Sequence, residues 1–174
     1  MDHQALAQLL GNYGEFVGAI AVVLTLFYLT TQIRQSSRSM KSSAAQAVLQ
    51  SISEQYRVAA ESEKLAHVVR LGFEDFEELD ADEANQFLFW LFSWFRLMEQ
   101  AHYHFENGDI PESTWKGQLA HISAYFASSA VMRFWELRGA LFSDEFQSLI
   151  KSIDFGQEST IPNVTDALER WRSG

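Results

Sequence analysis

Glu99 and His102 stand three residues apart in Glu99-Gln-Ala-His102, a spacing that sets a carboxylate and an imidazole on one helical face. Di-iron and di-manganese helix bundles use such a pair twice, with two further carboxylates. No second Glu-x-x-His occurs in the chain, so the lone pair reads as a contact along a helix surface. His102, His104 and His121 supply three imidazoles, enough for zinc if the helices flanking Gly108 pack antiparallel. His102 and His104 are two apart and face different ways, which leaves that geometry unset. The acidic stretch 74–83 (EDFEELDADE) lacks the alternating Asp/Asn and glycine of a calcium loop. It reads instead as solvated loop followed by an Asp80 cap and the acidic first turn of a helix. Arg96 with Glu99, and Glu136 with Arg133 or Arg138, have the spacing of ion pairs that fix helix register. There is no cysteine, phosphate-binding glycine loop, nucleophile elbow or triad motif. No catalytic, cofactor-binding or metal residue is assigned, no cofactor is expected, and the chain reads as non-enzymatic.

The element that must position everything else is the uncharged run 16–33, FVGAIAVVLTLFYLTTQI. As a helix it covers roughly 27 Å, close to the hydrocarbon thickness of a bilayer. Residues 13–35 are therefore expected to form a transmembrane helix. Arg34, Arg38 and Lys41 follow the run, whereas only Asp2 and Glu15 carry charge before it. That asymmetry predicts a short N-terminus outside and the large domain in the cytoplasm, with the three basic residues on lipid head groups. The opening Met1-Asp2-His3-Gln4 lacks a basic region and no small-residue cleavage site follows the run, so a cleaved signal peptide is not expected.

The run has a face. Gly11, Gly14, Gly18, Ala21 and Thr25 recur at steps of three and four, and Tyr28, Gln32, Gln35 and Ser39 continue the register. A seven-residue repeat keeps one stripe on one side of a helix. Small residues allow close helix approach, which points to self-association through Gly11–Thr25. The polar continuation predicts a polar seam, or a pore lining if the oligomer is a ring. Phe16, Ile20, Val23, Leu24 and Phe27 on the opposite face suit lipid.

Hydrophobic residues make up 47% and only two prolines and nine glycines punctuate the chain, which suits an all-α fold. The net charge of −10 argues against a nucleic-acid partner, which needs a basic surface. Residues 1–12 are expected to form a short interfacial helix stopped at Gly11-Asn12, with Asn12 capping the span. Residues 36–60 lack Gly and Pro and should extend the anchor as one helix, with weak points at Ser36-Ser37 and Ser42-Ser43. Residues 61–174 should form a cytoplasmic α-helical bundle. Ser62 is a cap and Gly72 the expected stop of its first helix. The run 87–95 (FLFWLFSWF), apolar almost all round, marks a central helix that Gly108 ends. Pro111 opens the next helix, Ser128-Ser129 breaks it, residues 131–142 form another, and Ser143 caps the one after. Asn163 or Thr165 is the expected cap of a last turn through Trp171.

Three segments together resemble a widespread family of small uncharacterised bacterial single-pass membrane proteins. They are Gly14-Glu15-Phe16-Val17-Gly18-Ala19-Ile20-Ala21-Val22-Val23 with the exit Tyr28-Leu29-Thr30-Thr31-Gln32-Ile33-Arg34, then Phe95-Arg96-Leu97-Met98-Glu99, then Phe142-Ser143-Asp144-Glu145-Phe146. Where that family often has Tyr-Tyr after the glutamate, this chain has His102-Tyr103. The resemblance implies a membrane-anchored helical domain in the bacterial inner membrane and implies no activity. The function expected is that of a homo-oligomeric, lipid-embedded scaffold or sensor whose protein partner is unknown. The alternative is a homo-oligomeric channel.

Overall fold

The computed structural model describes residues 3–153, 155 and 164–173, apart from the side chains of 3–12, 164–166 and 168. The described residues form seven helices: α1 (His3–Glu61), α2 (Glu63–Glu74), α3 (Ala81–Glu106), α4 (Glu112–Tyr125), α5 (Ser129–Arg138), α6 (Asp144–Ser152) and α7 (Val164–Ser173). Two 3-10 turns, Phe76–Glu78 and Gly139–Leu141, complete the described elements, so the fold is all-α. The chain divides into two units, Met1–Ser43 and Ala44–Gly174.

The first unit is helix alone. α1 runs unbroken through Gly11 and Asn12, so the expected stop and Asn12 cap are absent. A single glycine costs a helix only about 1 kcal/mol, too little to break one flanked by good formers. The Ser36-Ser37 and Ser42-Ser43 pairs do not interrupt it either. Every residue from 13 to 43 is exposed. Among the described residues this is the single helix long and apolar enough to cross a membrane. Its hydroxyls turn back on their own backbone: Thr25 Oγ1 donates to the Ala21 carbonyl at 2.8 Å, and Thr30 Oγ1 to that of Leu26 at 2.8 Å. Thr31 Oγ1 donates to the Tyr28 carbonyl at 2.7 Å, and Gln32 Nε2 to the Tyr28 hydroxyl at 2.8 Å. Such local bonds are what a polar side chain needs where no water can reach it.

The second unit is built around α3. Asp80 caps it by accepting from the Asp82 and Glu83 amides, both at 2.9 Å, and the Glu83 carboxylate accepts from the Asp80 amide in return. This capping box is the role the acidic stretch was expected to play. Phe87, Leu91, Trp94, Phe95, Met98 and Ala101 follow at helical spacing and are fully buried. Burial of each large side chain stabilises the fold by roughly 1.5–3 kcal/mol. The helix is not covered on every side, however: Phe89 is 68% exposed. Ala45, Val48 and Ile52, one face of the last third of α1, are buried in the same core.

Ser62 caps α2 as expected, accepting from the Leu65 amide, but Gly72 does not end that helix. It lies inside it, buried, where a Cβ would stand 2.4 Å from the Phe87 ring. The glycine is a packing notch for α3. Gly108 does end α3, with φ at 71°, a left-handed conformation that favours glycine. α5 stops at Arg138, short of the expected 142, because the chain tightens into the 3-10 turn Gly139–Leu141 before Ser143 caps α6 through the Phe146 amide. Ser128 breaks the chain before α5 and donates its hydroxyl to the Phe73 carbonyl at 3.3 Å, tying that turn to α2. The expected cap residues Asn163 and Thr165 lie outside the described residues and side chains.

Candidate functional site

The Phe95-Arg96-x-x-Glu99 segment is a clamp. Phe95 points into the core, where its ring stacks on Phe134 at 5.4 Å between centroids. One residue on, the Arg96 guanidinium lies over the Phe92 and Phe142 rings, 5.0 and 4.7 Å from their centroids. Its Nη1 donates to Glu99 Oε2 at 2.6 Å and its Nη2 to the Leu141 carbonyl at 2.9 Å. The other oxygen of Glu99 accepts from the Ser143 amide at 2.6 Å. Burial pushes the Glu99 carboxyl up, but the Ser143 amide and Arg96 outweigh it and hold the group below its ordinary value. The expected Arg96–Glu99 pair is therefore present, and it fastens the turn before α6 onto α3. Arg133 instead reaches Glu77, at 3.4 Å between exposed side chains, rather than the expected Glu136.

Beyond the clamp, α3 and the start of α6 border a cleft of about 550 Å³. His102, Tyr103, Glu106 and Glu145 are among its walls. His102 is 8% exposed, with its ring 5.4 Å from Trp115 and 6.0 Å from Phe146. Burial pushes its pKa down, against the opposing pull of the Glu106 and Glu145 charges. Its Nε2 pairs with Glu106 Oε1, one turn further along α3, at 3.5 Å.

The three histidines do not converge. His104 Nδ1 meets Asp109 Oδ2 at 3.1 Å, and His121 is exposed with its ring edge-on to Tyr56 at 6.3 Å. Among the described residues no three His, Asp or Glu side chains assemble a metal site. A polar junction that the sequence did not mark lies deeper. The Tyr56 hydroxyl accepts from Trp94 Nε1 at 3.2 Å and from the Tyr125 hydroxyl at 3.4 Å. Gln55 Nε2 beside it donates to the Trp90 carbonyl at 3.0 Å. Burial, reinforced by the neighbouring Tyr56, raises the pKa of Tyr125. A period-3.6 apolar pattern was the sole signal for Tyr56, and it does not show that the hydroxyl is used.

In the first unit, Ala21, Thr25, Tyr28, Gln32, Gln35 and Ser39 are all exposed, as are Arg34, Arg38 and Lys41. A Cβ on Gly14 or Gly18 would meet nothing within 4 Å. Gly11 lies within α1, and its surroundings fall outside the described side chains. The stripe is thus uncovered by its own chain wherever it is described. The chain matches no protein-family model, no curated protein sequence and no solved structure.

Proposed function

We propose that the protein is a non-enzymatic, single-pass protein of the bacterial inner membrane. It self-associates through the Gly11, Gly14, Gly18, Ala21 and Thr25 stripe and presents a helical cytoplasmic domain as scaffold or sensor. One observation carries this reading: the apolar run 16–33 is exposed on every side of α1. Water-exposed proteins rarely leave contiguous apolar surface beyond a few hundred Å² uncovered. Lipid satisfies the large side chains, and a second copy fits the glycine stripe, where no described side chain stands within 4 Å of a Cβ on Gly14 or Gly18. Arg34, Arg38 and Lys41 close the span on the cytoplasmic side, against lipid head groups.

The pore reading is less well supported. A lining residue keeps its polar groups for water and ions, whereas Gln32 Nε2 is engaged with the Tyr28 hydroxyl and Thr25 with the Ala21 carbonyl. The test is the mass of the complex held in nanodiscs, by native mass spectrometry. A dimer that Gly18→Leu reduces to monomer is the expected result. A wild-type monomer would overturn self-association, and a ring of four or more subunits would put the channel first, to be followed by conductance of Gln32→Leu.

A further inference from the structure

Between Glu15 and Glu54 the chain has no aspartate or glutamate, although its net charge is −10. Arg34, Arg38 and Lys41 are the only charged side chains in that stretch, and all three are exposed. Glu54, the nearer carboxylate along α1, lies roughly 20 Å beyond Lys41 by helical rise.

α1 is continuous, so position along it fixes direction around it. At about 100° per residue, Ile20, Val23, Phe27, Arg34, Arg38 and Lys41 fall within about 60° of one another. Ile20, Val23 and Phe27 are exposed as well. One face of the helix is therefore apolar and then basic. Thr30 and Thr31 lie between the two halves, and their hydroxyls turn back onto the carbonyls of Leu26 and Tyr28.

The lengths match a lipid laid along the helix. From Val23 to Ile33 is about 15 Å, half of a hydrocarbon core of roughly 30 Å, which is the depth of one leaflet's acyl chains. Arg34 and Arg38, about 6 Å apart along the axis, follow at the depth of the head groups. Guanidinium groups hold phosphate oxygens through paired, charge-assisted hydrogen bonds. A zwitterionic head group balances its phosphate with its own cation, whereas an anionic one leaves a net charge for the three basic residues.

We propose that this face of α1 binds one anionic phospholipid per chain. Its acyl chains lie along Ile20, Val23 and Phe27, its phosphate sits between Arg34 and Arg38, and Lys41 adds charge. Binding here presupposes that 16–33 spans the membrane. It does not depend on self-association, because Gly11, Gly14, Gly18, Ala21 and Thr25 lie on the opposite side of the helix.

The experiment is native mass spectrometry of the detergent-held full chain, titrated with phosphatidylglycerol and with phosphatidylcholine of the same acyl chains. One phosphatidylglycerol per chain is expected, bound about tenfold or more tightly than phosphatidylcholine. Arg34→Gln and Arg38→Gln should each weaken it about fivefold. Both side chains are exposed in a unit that is helix alone, so the variants keep the fold. Arg34→Gln combined with Gln35→Arg keeps the net charge and moves one cation about 100° around the helix, so it should lose as much as Arg34→Gln. Wild-type affinity in that double variant, or equal binding of the two lipids, overturns the proposal. So does equal binding of glycerophosphoglycerol, the head group without tails, which would mark a phosphate site. A chain that alkaline carbonate strips from phosphatidylcholine vesicles would overturn the span itself, whereas one that resists the wash and shows no lipid preference overturns this inference alone.

Discussion

Two apolar runs of similar vocabulary meet opposite fates in this chain. Residues 16–33 are exposed throughout, with Phe27 at 72%, whereas in the run 87–95 Phe87, Leu91, Trp94 and Phe95 are fully buried. The aromatic share is higher in 87–95, but apolar character alone does not separate them. Cover does. α2, α4 and α5 all contact α3, and the aromatic residues they bring pack against its buried face. For 16–33 no described residue supplies such cover, and the helix is long and apolar enough to cross a bilayer. An apolar helix is thus assigned by what surrounds it, and the sequence around each run holds that information.

The contrast is tested most severely by truncating an aromatic in each run. Trp94→Ala should destabilise the bundle by about 3–5 kcal/mol, and Phe27→Ala should leave it within about 0.5 kcal/mol. Denaturant unfolding of the detergent-held protein, followed through the bundle's tryptophans, measures both. Equal losses would mean that residue 27 is packed after all. Next come the glycines. Gly72→Ala drives a methyl into the Phe87 ring and should cost about 1–3 kcal/mol. Gly18→Ala meets open space in its own chain and should leave the thermal midpoint of the bundle unmoved. A tolerated Gly72→Ala would show that Phe87 has room to turn aside.

A smaller effect sharpens the contrast between charged and uncharged parts of the core. Glu99→Gln should cost about 1–2 kcal/mol at neutral pH, through the weakened bonds to Arg96 and Ser143. The folded carboxyl titrates below its ordinary value, so its contribution is complete above the unfolded pKa of about 4.3. It is lost as pH falls through the lower folded value. Melting curves of wild type and Glu99→Gln should therefore converge on acidification. Curves that stay parallel would show that the carboxylate charge contributes nothing.

Much of the fold was legible because its signals are local. Ser62, Asp80 and Ser143 are each a short polar residue before an apolar helix, and each caps it. The turn at Gly108 is equally local. Gly72 was misread because a helix-ending glycine and a packing glycine share one letter. Only the position of Phe87, on another helix, distinguishes them. The clamp was half legible: the Arg96–Glu99 spacing is visible, but their other partners are backbone groups of Leu141 and Ser143, which no side-chain pattern announces. The cleft was hidden for a similar reason, since Glu145 comes to the His102–Glu106 turn only through the packing of α6.

The junction at Tyr56 has a consequence for the order in which the protein is made. Its hydroxyl waits for Trp94 and Tyr125, which lie 38 and 69 residues further along the chain. Ribosomes add about 5–20 residues per second, so roughly 3 to 14 s separate the synthesis of Tyr56 from that of Tyr125. Until α3 is made, Ala45, Val48 and Ile52 have no core to enter. The nascent chain passes through a stage at which its apolar run 16–33 is finished and the neighbouring apolar face is still uncovered. In that window a chaperone, or a second growing copy, has its best access to the segment.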